Sequence, residues 1–142
     1  MSFALDPRLA ADTFEVGDLA LSRVLLMNDR RYPWLILVPR AENLREIVDL
    51  ETQARAALME EIALASRFVQ SLPGVEKINV GALGNIVGQL HVHVLGRAAG
   101  DPAWPGPVWG FGKAERYDES RARALLEELR FALAIKPGAA GS

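Results

Sequence analysis

Several chemical groups are absent or scarce in this sequence. It has no cysteine, which excludes disulfides, thiolate metal sites and cysteine nucleophiles within it. The formal net charge of -2 lacks the basic excess typical of nucleic-acid-binding proteins, so we expect no nucleic-acid partner. A single phosphorylated small molecule, held by a few donors, is compatible with this charge.

Long apolar runs are also absent. The longest, near residues 24–27 and 34–38, fall far short of the roughly 20 residues that cross a bilayer. Asp6, Arg8 and Asp12 stand where a signal peptide would need its apolar segment. We therefore predict a cytoplasmic protein with no membrane partner. Its 142 residues suffice for one domain with a single core.

Hydrophobic periodicity predicts an α+β fold. Residues 19–28 and the proline-bounded apolar run 34–38 indicate a β-hairpin. Across residues 50–72, apolar side chains recur at steps of three and four, which predicts a long helix. Two more strands are expected at residues 77–83 and 89–96. This order of elements indicates an antiparallel sheet with a helix packed on it.

The composition changes after Gly96. Residues 98–112 are rich in proline, glycine and tryptophan, which predicts an irregular segment. We interpret Trp104 and Trp109 as packing anchors, with a pocket cover or a partner contact as the alternative. An apolar stripe from about Ser120 predicts an additional C-terminal helix, and residues 137–142 are expected to fray.

The chain's two histidines, His91 and His93, lie two residues apart in the last predicted strand of the sheet. Since side chains alternate across a strand, Gln89, His91 and His93 are expected on one face, opposite Leu90 and Val92. An amide and two imidazoles in a row are too polar to be buried without partners. This polar row is therefore the candidate site.

The residues alone leave four interpretations of the polar row. The histidines could only line a half-exposed sheet face. They could share a metal ion, although no Asp or Glu between residues 77 and 100 offers a third ligand. They could attack or hydrogen-bond a phosphate, helped by backbone N–H groups of the glycine-bounded loop 84–88. Finally, the pocket could bind a nucleotide without catalysis.

Residues 84–97, Gly-Asn-Ile-Val-Gly-Gln-Leu-His-Val-His-Val-Leu-Gly-Arg, resemble the signature of the histidine triad (HIT) family, His-φ-His-φ-His-φ-φ, in which φ is apolar. The upstream elements follow in the family's order, so the resemblance covers about residues 3–104. We expect residues 1–104 to form the HIT domain and residues 105–142 an extension packed on it. The resemblance implies an antiparallel sheet of about five strands with a long helix, a homodimer and a nucleotide substrate.

The resemblance also implies roles for individual residues. His91 falls at the nucleophile position, where it would attack a nucleotide's α-phosphate and form a nucleotidyl-histidine that water hydrolyses. His93 would hydrogen-bond the phosphoryl oxygens. Five residues would surround the nucleotide: Asn28 at the ribose, Asn85 and Asn79 near the phosphates, and Leu26 and Ile36 against the base.

The chain departs from the family pattern at two positions. Gln89 takes the place of the first catalytic histidine of the triad; its amide can still orient a group or donate a hydrogen bond, but it cannot shuttle a proton at neutral pH. Ile86 replaces a usual Ser or Thr hydroxyl. Both changes affect leaving-group protonation and keep the nucleophile. We therefore expect a dinucleoside or nucleoside polyphosphate, which has a good leaving group, with slow or absent turnover as the alternative. The motif requires no cofactor and leaves metal dependence open.

Overall fold

The computed structural model describes residues 3–135. Its strands are β1 (Thr13–Asp18), β2 (Ser22–Met27), β3 (Trp34–Pro39), β4 (Lys77–Gly81) and β5 (Val92–Arg97). They form one antiparallel sheet in the order β1-β2-β3-β5-β4. The helices are α1 (Pro7–Asp12), α2 (Thr52–Ser71) and α3 (Glu119–Ala132), with a 3-10 turn at Ile47–Asp49. The predicted α+β class is confirmed; the predicted fraying of residues 137–142 lies outside the described residues.

The first half of the sheet contains one strand that the sequence pattern does not predict. β2 and β3 pair as the predicted hairpin, with Leu25 opposite Ile36. β1 is not predicted, because a β-bulge between Glu15 and Gly17 interrupts the alternation of its side chains. Gly17 has φ +148°, and the side chain of Ile135 occupies the space that a Cβ would need there.

One face of the sheet packs against α2 and α3. This confirms the predicted helix of residues 50–72 and its apolar stripe. Glu61 of α2 is buried, and its carboxylate accepts backbone N–H groups of Leu21 and Ser22 at 2.8 and 3.0 Å. The core on this face includes Val24, Leu26, Leu35, Leu37, Leu58, Ala65, Val69, Val92, Val94, Leu129 and Leu133.

The opposite face is covered by an irregular run, residues 98–117, which we name the return segment. Ala103 and Val108 of this segment are buried against the sheet. The N–H of Arg30 donates to the Glu115 carbonyl at 2.7 Å, so the segment is fixed beside the β2–β3 turn. No helix among residues 3–135 is long and apolar enough to span a membrane.

Candidate active site

A cavity of about 600 Å³ opens between the sheet and the return segment. Both histidines line it, and the other walls come from α1, the β2–β3 turn, the loop before β5 and the return segment. A concave, mostly apolar site with a few convergent polar groups is typical of small-molecule binding. Its lining includes Arg8, Leu9, Asp12, Met27, Asn28, Trp34, Leu83, Asn85, Ile86, His91, His93, Val108, Trp109, Phe111 and Arg116.

The ring of His91 is oriented by a backbone carbonyl. Its Nδ1 lies 2.7 Å from the carbonyl oxygen of Gln89. Because a carbonyl oxygen only accepts, Nδ1 carries the proton and donates it to this bond. In this tautomer the lone pair is on Nε2. His91 thus has the tautomer that a nitrogen nucleophile requires.

The ring of His93 is oriented in the opposite sense. The indole Nε1–H of Trp34 donates to His93 Nδ1 at 3.0 Å, so this nitrogen carries the lone pair and Nε2 carries the proton. The two imidazole centroids are 5.0 Å apart. The two neighbouring rings therefore offer a lone pair at His91 Nε2 and an N–H donor at His93 Nε2.

Burial keeps His93 neutral. Its side chain is almost inaccessible, and desolvation, followed by the neighbouring His91, lowers the pKa of His93 to about 4. A neutral imidazole with Nε2–H remains a hydrogen-bond donor over the physiological pH range. That is the property needed to stabilise negative charge on a phosphoryl oxygen.

Trp109 of the return segment closes the cavity over His93. Its ring contacts His93 with a centroid distance of 5.4 Å and Trp34 with a distance of 6.5 Å. Gly81 allows this approach, since a Cβ there would lie 3.0 Å from Trp109 Cη2. The interpretation of Trp109 as a packing anchor and its alternative as a pocket cover therefore both apply. Trp104 packs elsewhere, against Arg97.

Gln89 does not extend the histidine row. β5 begins at Val92 rather than at residue 89, so alternation does not determine where the Gln89 side chain points. Its Oε1 accepts the N–H of Asp6 and its Nε2 donates to the Ala4 carbonyl, each at 2.9 Å. The predicted sharing of one face by Gln89, His91 and His93 is thus corrected: only the two histidines are brought together.

Asn28 and Asn85 both line the cavity, and their contacts with a nucleotide stay predictions. Asn28 Oδ1 accepts the N–H of Tyr117 at 2.9 Å. The amide nitrogen of Asn28 is therefore the end left for a ligand. Asn85 lies on the exposed loop between β4 and β5, beside the exposed Ile86.

Three other predicted contacts are not placed in the cavity. Leu26 faces the helices, because on β2 it is Leu25 and Met27 that point to the cavity side. Ile36 is on the cavity side but is completely buried beneath it. Asn79 accepts a hydrogen bond from Arg97 Nη1 at 2.9 Å, away from the cavity. Leu26 points away from the cavity because side chains alternate along β2. Asn79 points away because its side chain is already bound to Arg97.

Charged groups near the cavity are mostly paired. Burial alone would raise the pKa of Asp29, but bonds from the Arg31 side chain and from backbone N–H groups lower it. Arg31 Nη2 lies 2.8 Å from Asp29 Oδ2, and its Nη1 donates to the Phe111 carbonyl. Arg97 is buried and bound to Asp101 through its Nε and Nη2. Within residues 3–135, no group of three His, Asp or Glu side chains could hold a metal ion.

Comparison with known proteins identifies the family. The pattern of the HIT domain matches residues 8–100. A histidine triad protein from Bradyrhizobium japonicum is 43% identical, with 94% of this chain and 99% of that chain aligned and a TM-score of 0.90. One from Sinorhizobium meliloti 1021 is 49% identical, with 92% and 96% aligned and a TM-score of 0.88.

A third relative, a histidine triad protein from Marinobacter aquaeolei VT8, is 45% identical, with 94% of this chain and 98% of that chain aligned and a TM-score of 0.91. No match was found among curated proteins. The chain belongs to the histidine triad family. Membership implies a nucleotide-binding hydrolase or transferase.

Proposed function

We propose that this protein cleaves a dinucleoside or nucleoside polyphosphate at the α-phosphate through a nucleotidyl-His91 intermediate. The observation that carries the proposal is the pair of opposite imidazole tautomers on one cavity wall. One ring supplies a nucleophile and the other supplies a donor for the phosphoryl oxygen.

The reaction follows from these tautomers. The Nε2 lone pair of His91 forms a bond to the α-phosphorus, while the P–O bond to the remaining phosphates breaks and the leaving oxygen takes the electron pair. The Gln89 carbonyl stabilises the imidazolium that forms, because it accepts the Nδ1–H. His93 donates from Nε2 to a phosphoryl oxygen. Water then attacks phosphorus, the electron pair of the P–N bond returns to His91 Nε2, and the proton that water loses is released to solvent.

The leaving group determines the substrate class. Gln89 is bound to backbone groups of residues 4 and 6, and Ile86 has no hydroxyl. Neither side chain can therefore deliver a proton to a leaving oxygen. Phosphate chains leave as stable anions without such a proton, whereas an amine leaving group requires one. This favours polyphosphate substrates over phosphoramidates.

The covalent intermediate provides the test. Diadenosine tetraphosphate is mixed with the protein, quenched within the first turnover, and the intact mass is measured. We expect a mass increase of one adenylyl group in the wild type and none in His91→Ala. Binding without an adduct, and without any His91-dependent product across a panel of nucleotides, would favour the alternative of a non-catalytic nucleotide-binding module.

The proposal includes a homodimer. β4 is an edge strand of the sheet, and Val80 on it is about half exposed. A second copy of the chain could pair with this edge and cover the apolar side chain. Sedimentation equilibrium tests this: we expect a dimer for the wild type and a monomer for Val80→Arg. A monomeric wild type would contradict it.

A further inference from the structure

Gln89 connects two parts of the chain that are far apart in sequence. Its amide forms two hydrogen bonds, from the N–H of Asp6 to Oε1 and from Nε2 to the Ala4 carbonyl. Both ends of the amide are thereby occupied by the backbone that leads into α1. A side chain that satisfies two backbone groups in this way fixes the position of that backbone.

The segment fixed by Gln89 carries an arginine to the cavity. Asp6 caps α1 by accepting the N–H of Arg8 at 2.8 Å, and this backbone bond is the main cause of the lowered pKa of Asp6. Asp6 Oδ1 also lies 3.5 Å from Arg8 Nε. Arg8 lines the same cavity as His91 and His93.

Arg8 is available to a ligand, in contrast to Arg31. Its side chain is 61% exposed, and within residues 3–135 Asp6 is its only ion-pair partner. Arg31 is 8% exposed and is bound by Asp29. Because the contact of Arg8 with Asp6 uses Nε, both terminal nitrogens can donate to phosphate oxygens in the forked geometry that guanidinium favours.

We propose that Gln89 is a positioning residue that holds residues 4–6 in place so that Arg8 binds the phosphates beyond the α-phosphate of a nucleotide. This inference rests on the proposed function, which places the α-phosphate at His91. Asp12 also lines the cavity and opposes an anion, while Arg116 offsets its charge. In this chain, the first triad position thus contributes to binding of the phosphate chain rather than to proton transfer.

The inference is tested by binding rather than turnover. Calorimetry compares adenosine monophosphate with a non-hydrolysable adenosine triphosphate analogue on the wild type, Arg8→Ala, Gln89→Ala and the double variant. For Arg8→Ala we expect about tenfold weaker binding of the triphosphate analogue and less than about twofold change for the monophosphate. Gln89→Ala should give the same selective loss. The double variant should lose no more than either single variant.

Two further variants and a hydrogen-exchange measurement complete the experiment. Arg123→Ala removes the same charge from the exposed surface of α3, on the other face of the sheet, and should change neither affinity. Gln89→Glu keeps an acceptor for the Asp6 N–H but loses the donor to Ala4, so it should resemble Gln89→Ala. Hydrogen exchange in residues 3–12 should accelerate in both Gln89 variants.

Different outcomes separate this inference from the proposed function. Equal weakening of both nucleotides, additive losses in the double variant, or an unchanged Arg8→Ala would overturn it. A wild type that binds neither nucleotide would also overturn it. If the selective, non-additive loss occurs while no His91-dependent product forms, the inference stands and the cleavage proposal fails. If the product forms normally and Arg8→Ala binds as the wild type does, only the inference fails.

Discussion

The two faces of the sheet differ in what covers them. On one face, α2 and α3 pack their apolar stripes against the strands and leave a continuous core. On the other, the irregular return segment and the short α1 border a cavity of about 600 Å³. β5 serves both faces, since Val92 points to the core and its neighbour His93 to the cavity. Regular helices thus provide stability here, and irregular segments provide the concave surface for a ligand.

The largest expected effect concerns the cavity face alone. His91→Ala removes the proposed nucleophile, so we expect kcat to fall by about 10⁴-fold or more. Its free energy of unfolding should fall by no more than about 1–2 kcal/mol, because the side chain is buried but borders the cavity and has a single hydrogen bond. Steady-state kinetics and urea unfolding measure the two effects. Residual activity within tenfold of the wild type would contradict the assignment of His91.

The reverse pattern is expected on the helix-covered face. Leu129 of α3 is completely buried, so Leu129→Ala should lower the free energy of unfolding by about 2–5 kcal/mol. The kcat per folded molecule should stay within about twofold of the wild type. Phe131 is 90% exposed on the same helix, and Phe131→Ala should change stability by less than about 0.5 kcal/mol. Equal losses from both variants would mean that α3 is not packed as described.

The buried imidazole of His93 makes stability depend on pH. Its pKa is about 4 in the folded protein and 6.5 in the unfolded chain, so between these values the unfolded chain binds more protons. The contribution of His93 to the free energy of unfolding is therefore fully present above about pH 6.5. It falls by about 3 kcal/mol as the pH decreases to about 4.

Urea unfolding at several pH values, compared with His93→Gln, isolates the His93 contribution. The variant retains the acidic residues but lacks this imidazole, so its stability should fall less steeply over the same pH range. Parallel curves for the two proteins would show that His93 is not kept neutral by the fold.

The smallest predicted effect concerns the bond that orients His93. Trp34→Phe keeps an aromatic ring but removes the N–H donor, which should cost about 1 kcal/mol of stability and about tenfold in kcat. Nitrogen NMR should show His93 changing from a single Nε2–H tautomer to a mixture. Trp104→Phe is the control, because Trp104 packs on Arg97 and has no contact with either histidine. If the His93 tautomer stays unchanged, packing alone, and not the Trp34 hydrogen bond, orients the His93 ring.

Local patterns are sufficient to predict part of this molecule. The stripe of α2, the β2–β3 hairpin and the shared face of His91 and His93 follow from periods of 3.6 and 2, which depend on nearby residues only. β1 is not predicted because its bulge interrupts the two-residue alternation of side chains. Leu26 is predicted to contact the base but lies on the other face of the sheet. The family resemblance identifies the strand but does not determine which of two adjacent residues points to the cavity.

Long-range contacts account for what the sequence does not reveal. The hydrogen bond from Trp34 to His93 joins residues 59 positions apart, and that from Asp6 to Gln89 joins residues 83 apart. Neither residue type signals its partner. Trp34 appears in sequence as one more apolar residue of a buried strand, and Gln89 as a substituted triad histidine. Only the folded sheet shows what each side chain contacts.

The return segment also affects the order in which the site forms during synthesis. The ribosome makes the N-terminal part of a chain first, so both histidines are translated before Trp109 and before the residues that bond to Asn28 and Asp29. A chain paused after residue 100 would carry the complete sheet sequence but an uncovered His93. Ligand binding to nascent chains of increasing length should therefore begin only once the return segment has emerged.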